Sequence, residues 1–167
     1  MTGVLQSWKD ATHRHAAAAR AREIIEEIYP ICRSITGQGV RDTLARVRAQ
    51  IPIEIHEVPS GTPVFDWEVP DEWNVREAWI ADPSGRRIVD FREHNLHLVG
   101  YSVPVRERLP LAQLRERLYS IPEHPDWIPY RTSYYGRRWG FCVPHRLLQS
   151  LPDGEYEVCI DSEIAPG

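Results

Sequence analysis

The chain changes texture at Pro59. Before it, "AAAARAREIIEEIY" (16–29) is built from strong helix formers; after it, proline, glycine, tryptophan and short strand-like runs dominate. Helix and sheet are therefore segregated along the chain. That predicts an α+β fold: two N-terminal helices and a strand, then a β-rich region closing as a sandwich or a partly open barrel with short helical connectors.

The first helix carries an apolar stripe of Ile24, Ile25 and Ile28, with Arg20, Arg22, Glu23, Glu26 and Glu27 elsewhere on its surface, and Pro30 limits it. Residues 1–15 are polar and unpatterned, a frayed start. A second helix is expected from about Val40 to Gln50, because Val40, Leu44 and Val47 share a face, with Asp42 and Arg46 spaced for an ion pair. "IPIEIHEV" alternates, so 53–58 is expected to be a strand.

Beyond Pro59, Glu77–Ile80 and Arg87–Phe91 form an expected hairpin closed by "DPSG". "LHLVGYSVPV" and "EYEVCIDS" are expected strands. "LPLAQLRERLYS" is an expected short helix with Pro110 at its start, and "PHRLLQSLPDG" another ending near Gly154.

A net charge of -4 lacks the basic footprint that nucleic acid requires. No run approaches the ~20 apolar residues of a membrane helix, and the N-terminus has no apolar run of signal-peptide length. Three widely spaced cysteines, Cys32, Cys142 and Cys159, suit neither a disulfide framework nor a zinc knuckle, so reduced thiols in a cytoplasmic protein are expected.

"CRSITGQGVRD" (32–42) looks like a phosphate grip but lacks the P-loop lysine. Asp42 also occupies the place of the third glycine of a dinucleotide fingerprint, and no strand precedes the motif. An interhelical turn accounts for it: Gly37 or Gly39 supplies positive φ, and Ser34 or Thr36 caps the next helix. Arg33 and Arg41 bracket that turn and are suited to hold a carboxylate.

"EHNLH" offers His94 and His97, but in an extended segment i and i+3 point to opposite faces, which favours a hydrogen-bonded structural His97 over a metal site. "TSYYGRRWGFC" is either a twisted hairpin with "GRR" at its tip and aromatics in the core, or an aromatic platform for a ligand. "SGTPVFDWEVPDEW" reads as a solvated loop with tryptophan anchors rather than a carboxylate pair for acid–base chemistry. No G-x-S-x-G or H-E-x-x-H occurs.

Five phrases occur in order: "YPICRSITGQGVRDTL", "IEIHEVPSGTPVFDWEVPDEWNVREAWI", "NLHLVGYSVPV", "TSYYGRRWGFC" and "DGEYEVCIDS". Together they resemble the N-terminal part of a bacterial aminopeptidase-like family, a zinc-aminopeptidase-type α/β fold interrupted by a β-rich inserted domain. The resemblance implies that 16–59 begin the peptidase fold, that 60–162 form the insert, and that 163–167 are a truncated end. It implies zinc for the full-length family, with ligands in a segment that has no counterpart here, so no catalytic or metal-binding residue carries over. The expectation is an N-terminal fragment of a zinc hydrolase of peptide-like amides, inactive alone, whose partner is the missing peptidase half or a partner chain. A homodimer is possible through the unpaired 53–58 strand. Arg33, Arg41, His97, Tyr135 and Trp139 are the residues expected to face ligand or cleft. The alternatives are a non-catalytic peptide- or saccharide-binding β module and one half of a split enzyme.

Overall fold

The computed structural model describes residues 10–133 and 136–167. Helix α1 spans Ala11–Ile28 and α2 spans Gln38–Arg48. The strands are β1 (Pro63–Val64), β2 (Trp67–Glu68), β3 (Glu72–Ala81), β4 (Arg87–Asp90), β5 (Val105–Pro110), β6 (Leu118–Tyr119), β7 (Phe141–Cys142) and β8 (Glu155–Ala165). Short helices α3 (Leu111–Arg115) and α4 (His145–Ser150) flank β6 and β7.

The centre is one open antiparallel sheet in the order β4-β3-β8-β5. The α+β organisation stands, but no sandwich or barrel closes among the described residues. Only one face of this sheet is apolar enough to be covered. Tyr156, Val158, Ile160 and Ser162 alternate onto that face from β8 and are buried. On β3 the inward residues change parity, from Trp73 and Val75 to Ala78 and Ile80, because a bulge at Arg76 inserts one residue between them. Leu98, Tyr101, Leu111, Leu114, Phe141 and Val143 close the core from above.

The opposite face is a lattice of charges around a small cluster of Trp79, Ala81 and Cys159. Arg76 reaches Asp161 and Glu163, and Arg87 lies 4.4 Å over the Trp79 ring between Glu77 and Asp90. Such exposed pairs add little stability each; here they let an unbacked sheet face meet water.

Helix α1 starts at Ala11, five residues before the run of helix formers at 16–29 and inside the stretch expected to fray, because Asp10 caps it by accepting from the Thr12 amide at 2.8 Å. Val40, Leu44 and Val47 are half-buried, as their shared face predicts. The Asp42–Arg46 side-chain pair does not form: Asp42 accepts from Gln38 at 2.7 Å, and Arg46 crosses to Glu27 of α1 at 3.2 Å. The cap of α2 is not Ser34 or Thr36. Gly37 takes the N-cap position at φ 107, and Asn74 of β3 accepts from the Gln38 amide at 2.8 Å. Ser34 instead donates to the Thr36 carbonyl at 2.6 Å.

Two expected strands are absent. Residues 53–58 keep the alternation, with Ile53 and Ile55 half-buried and Glu54 and His56 exposed, yet no described strand pairs with them. A strand is defined by its ladder, and this segment forms none with the described residues. "LHLVGYSVPV" is irregular: a 3₁₀ turn at Asn95–His97, then a left-handed Tyr101 at φ 61. Leu98, Val99, Tyr101 and Ser102 are buried almost consecutively rather than alternately, which a two-sided strand pattern cannot supply. The regular strand lies just after this segment, as β5.

The 77–80/87–91 hairpin forms as β3–β4, with the Gly85 amide donating to Asp82 at 2.8 Å and Gly85 at φ 84. The Pro110-led helix forms as α3, and β8 covers "EYEVCIDS". "TSYYGRRWGFC" is not a hairpin among the described residues: Phe141 and Cys142 pair in parallel with Leu118 and Tyr119.

Candidate functional site

The interhelical turn is tied to the sheet by polar side chains. Asn95 donates to the Tyr29 carbonyl at 3.1 Å, and Tyr29 Oη contacts His94 Nε2 at 2.8 Å. Thr36 Oγ1 donates to the Asp71 carbonyl at 3.1 Å, so the Tyr101 hydroxyl, 2.9 Å away, is the donor to Thr36. The Tyr101 ring stacks on Trp73 with centroids 5.7 Å apart. Trp73 Nε1 and Ser162 Oγ both donate to the Ser102 carbonyl, at 3.0 and 2.8 Å. The left-handed backbone at Tyr101 is thus locked by bonds on both sides of it. A non-glycine residue pays of order 1–3 kcal/mol for such a conformation, and surroundings of this kind are what sustain it.

Two sizeable cavities open beside the sheet. One, of about 510 Å³, lies between the interhelical turn, β3 and the 91–95 loop. Its polar groups are largely spent on the Tyr29, Asn74, His94 and Asn95 bonds that dock the helices. The other, of about 490 Å³, lies between the β1–β2 hairpin, Tyr101, Arg137 and the end of β8. Val69, Pro70 and Ile164 give it apolar walls, while Glu68, Asp71 and Arg137 bring charge. None of these three charged side chains forms an ion pair with the described residues. This second cavity is the candidate site.

Of the residues singled out in the sequence, Arg33, Arg41, His97 and Trp139 lie elsewhere. Arg33 donates to the Ile28 carbonyl at 2.6 Å and closes the end of α1. Arg41 does hold carboxylates, but the chain's own: Nη1 reaches Glu72 at 2.9 Å and Nε reaches Glu57 at 2.9 Å. The Arg41 hydrogen bonds keep the Glu72 carboxyl below its usual range, so Glu72 stays ionised. His97 is buried, its Nδ1 donating to the Cys142 carbonyl at 2.8 Å, and burial lowers its proton affinity. Trp139 is half-buried against the core, under Arg117 at 5.3 Å. Tyr135 lies outside the described residues. Arg33, Arg41, His97 and Trp139 are not brought together around the candidate cavity. Arg137 belongs to the "TSYYGRRWGFC" stretch offered as a ligand platform, and Glu68 and Asp71 to the loop read as solvated, but no local signal links the two stretches, and the left-handed Tyr101 has no local signature.

The zinc that the resemblance implies does not fit the described residues. No three His, Cys, Asp or Glu side chains converge among them. Both ring nitrogens of His94 are engaged, Nδ1 accepting from the Leu96 amide at 3.2 Å and Nε2 facing Tyr29. The three thiols are free of disulfides, and burial raises each thiol pKa, Cys142 to about 11. Among the described residues no helix is long and apolar enough to cross a membrane.

A family model described as "Domain of unknown function (DUF2172)" matches residues 72–163, from the first residue of β3 into β8. A Clostridium acetobutylicum protein named "Putative polysaccharide biosynthesis protein with aminopeptidase-like domain" is 51% identical over 144 residues, covering 86% of this chain and 33% of that protein. A crystal structure of a "putative peptidase" from Clostridium acetobutylicum superposes with a TM-score of 0.88 at 48% identity, covering 91% of this chain and 36% of that one. The chain spans about a third of the length of these relatives.

Proposed function

Because the chain belongs to the DUF2172 family, and its relatives carry peptidase and aminopeptidase-like names, we propose that it is the recognition module of an aminopeptidase-like zinc hydrolase acting on peptide-like amides. The module borders the cleft and limits what enters; the zinc ligands and catalytic base come from a peptidase segment outside the described residues. Taken alone, the chain does not hydrolyse amides. The observation that carries this reading is a cavity furnished for binding: two carboxylates and an arginine on apolar walls, among described residues in which no metal ligands converge. Zinc-dependent hydrolysis of an amide needs a metal-activated water, and the ligands for that metal belong in this reading to the peptidase segment.

The test has two arms. The chain alone should bind no stoichiometric zinc by elemental analysis and release no product from an aminoacyl p-nitroanilide. Stoichiometric zinc with turnover would overturn the module reading. The whole Clostridium acetobutylicum relative should hydrolyse aminoacyl amides in the presence of zinc, and inertness across a panel of such amides would sink the hydrolase reading.

A further inference from the structure

Most arginines near carboxylates in this chain are paired. Arg41 takes Glu72 and Glu57, Arg76 takes Asp161, Arg87 takes Glu77, and Arg146 takes Asp126 at 2.7 Å. The candidate cavity breaks that pattern. Arg137, Glu68 and Asp71 line one cavity, yet the arginine pairs with neither carboxylate. Opposite charges that share a cavity and stay apart leave a gap that suits a molecule with charge at both ends.

We propose that this cavity binds a short zwitterionic ligand, a dipeptide-sized molecule with a free ammonium and a free carboxylate. Arg137 takes the carboxylate, for which the planar guanidinium is suited. Glu68 and Asp71 take the ammonium. Val69, Pro70 and Ile164 pack on the side chains between the two ends. The volume of about 490 Å³ falls within the ~300–1,000 Å³ of small-molecule sites. With two carboxylates against one guanidinium, the cavity also disfavours a ligand whose ammonium is masked and whose carboxylate remains. The left-handed Tyr101, stacked on Trp73 and bonded to Thr36, forms a rigid wall beside Arg137 and couples the site to the interhelical turn.

The inference rests on the recognition-module reading for its setting, but its test does not. Leu-Ala is titrated into the chain and followed by calorimetry and by tryptophan emission, to which Trp73 behind Tyr101 and Trp67 beside Glu68 contribute. N-acetyl-Leu-Ala and Leu-Ala amide are titrated in parallel. Saturable Leu-Ala binding is expected, with each masked peptide about tenfold weaker or more, the effect of losing one charge-assisted pair. Arg137→Gln should weaken Leu-Ala but leave the amide nearly unchanged. Asp71→Asn combined with Glu68→Gln should weaken Leu-Ala but strengthen the acetylated peptide, because the carboxylates that repel its free carboxylate are gone. Equal binding of all three peptides, or no saturable binding of Leu-Ala, overturns the proposal. The three-peptide comparison needs only the unaltered chain, so it decides even if a variant misfolds. Zinc and turnover report separately on the hydrolase reading.

Discussion

Gly37 is the point where the helix pair is most easily detached from the sheet. Its backbone, φ 107 and ψ 179, lies in a region that is essentially glycine-only, costing another residue of order 1–3 kcal/mol. A Cβ built there would also stand 2.7 Å from the Trp73 carbonyl oxygen and 3.0 Å from Asn74 Oδ1. Neither neighbour yields easily: Trp73 is buried and stacked on Tyr101, and Asn74 is the cap of α2. Gly37→Ala therefore pays backbone strain and steric displacement together, about 2–3 kcal/mol. For a chain of this size each kcal/mol lowers Tm by ~2–4 °C, so a fall of roughly 4–12 °C is expected. Gly85→Ala is the control. Gly85 also has positive φ, 84, but nothing lies within 4 Å of its Cβ position, so only strain of about 1 kcal/mol is expected. Urea unfolding followed by tryptophan emission gives both values, and hydrogen exchange locates the damage, with α2 amides losing protection before the β3–β8 ladder. If Gly37→Ala costs no more than Gly85→Ala, the close approach to Trp73 is not what requires glycine.

Three further outcomes are expected. Asn74→Ala removes the acceptor from the Gln38 amide and should cost ~1 kcal/mol, most of it recovered by Asn74→Asp; equal urea midpoints for Ala and wild type would contradict the cap. Burial raises the Cys142 thiol from 9.0 to about 11, so above pH 9 the unfolded chain loses a proton that the folded chain keeps. Stability should then fall between those pH values by up to ~1.4 kcal/mol per unit, and Cys142→Ala should flatten that stretch of the curve; parallel curves would refute it. His97 is shifted the other way, its imidazole held neutral chiefly by burial, so its share of stability is full above pH ~6.5 and falls as acid protonates the unfolded chain. His97→Gln should lose less stability than wild type between pH ~7 and ~5, and identical slopes would argue against a buried neutral ring.

What was legible in the sequence is what depends on near neighbours. The Val40–Leu44–Val47 face, the "DPSG" turn and the Pro110 helix start are encoded within a few residues, and each forms where expected. The misread strands show the limit. Ile53 and Ile55 alternate with Glu54 and His56 like a strand, but a ladder needs a second segment, and periodicity does not report one. The Arg76 bulge hides five residues of β3 in the opposite way, since Trp73 and Val75 fall out of phase with Ala78 and Ile80 although all four face one core. Parity counted along the chain breaks where the strand does not.

The candidate site was hidden for a related reason. Arg33 and Arg41 drew notice because they bracket a glycine turn, yet an arginine's role depends on where its charge is already spent. Arg41 meets Glu57 and Glu72, 16 and 31 residues away, and Arg33 meets the carbonyl of Ile28. Both are consumed in fixing the turn and the hairpin base. Arg137 lies in a stretch noticed for its aromatics, but it is the fold that leaves it unpaired in one cavity with two unpaired carboxylates. Satisfied charge builds structure, whereas charge that the fold holds apart is available to a ligand. That distinction arises only when segments around residues 60, 70, 101, 137 and 164 meet.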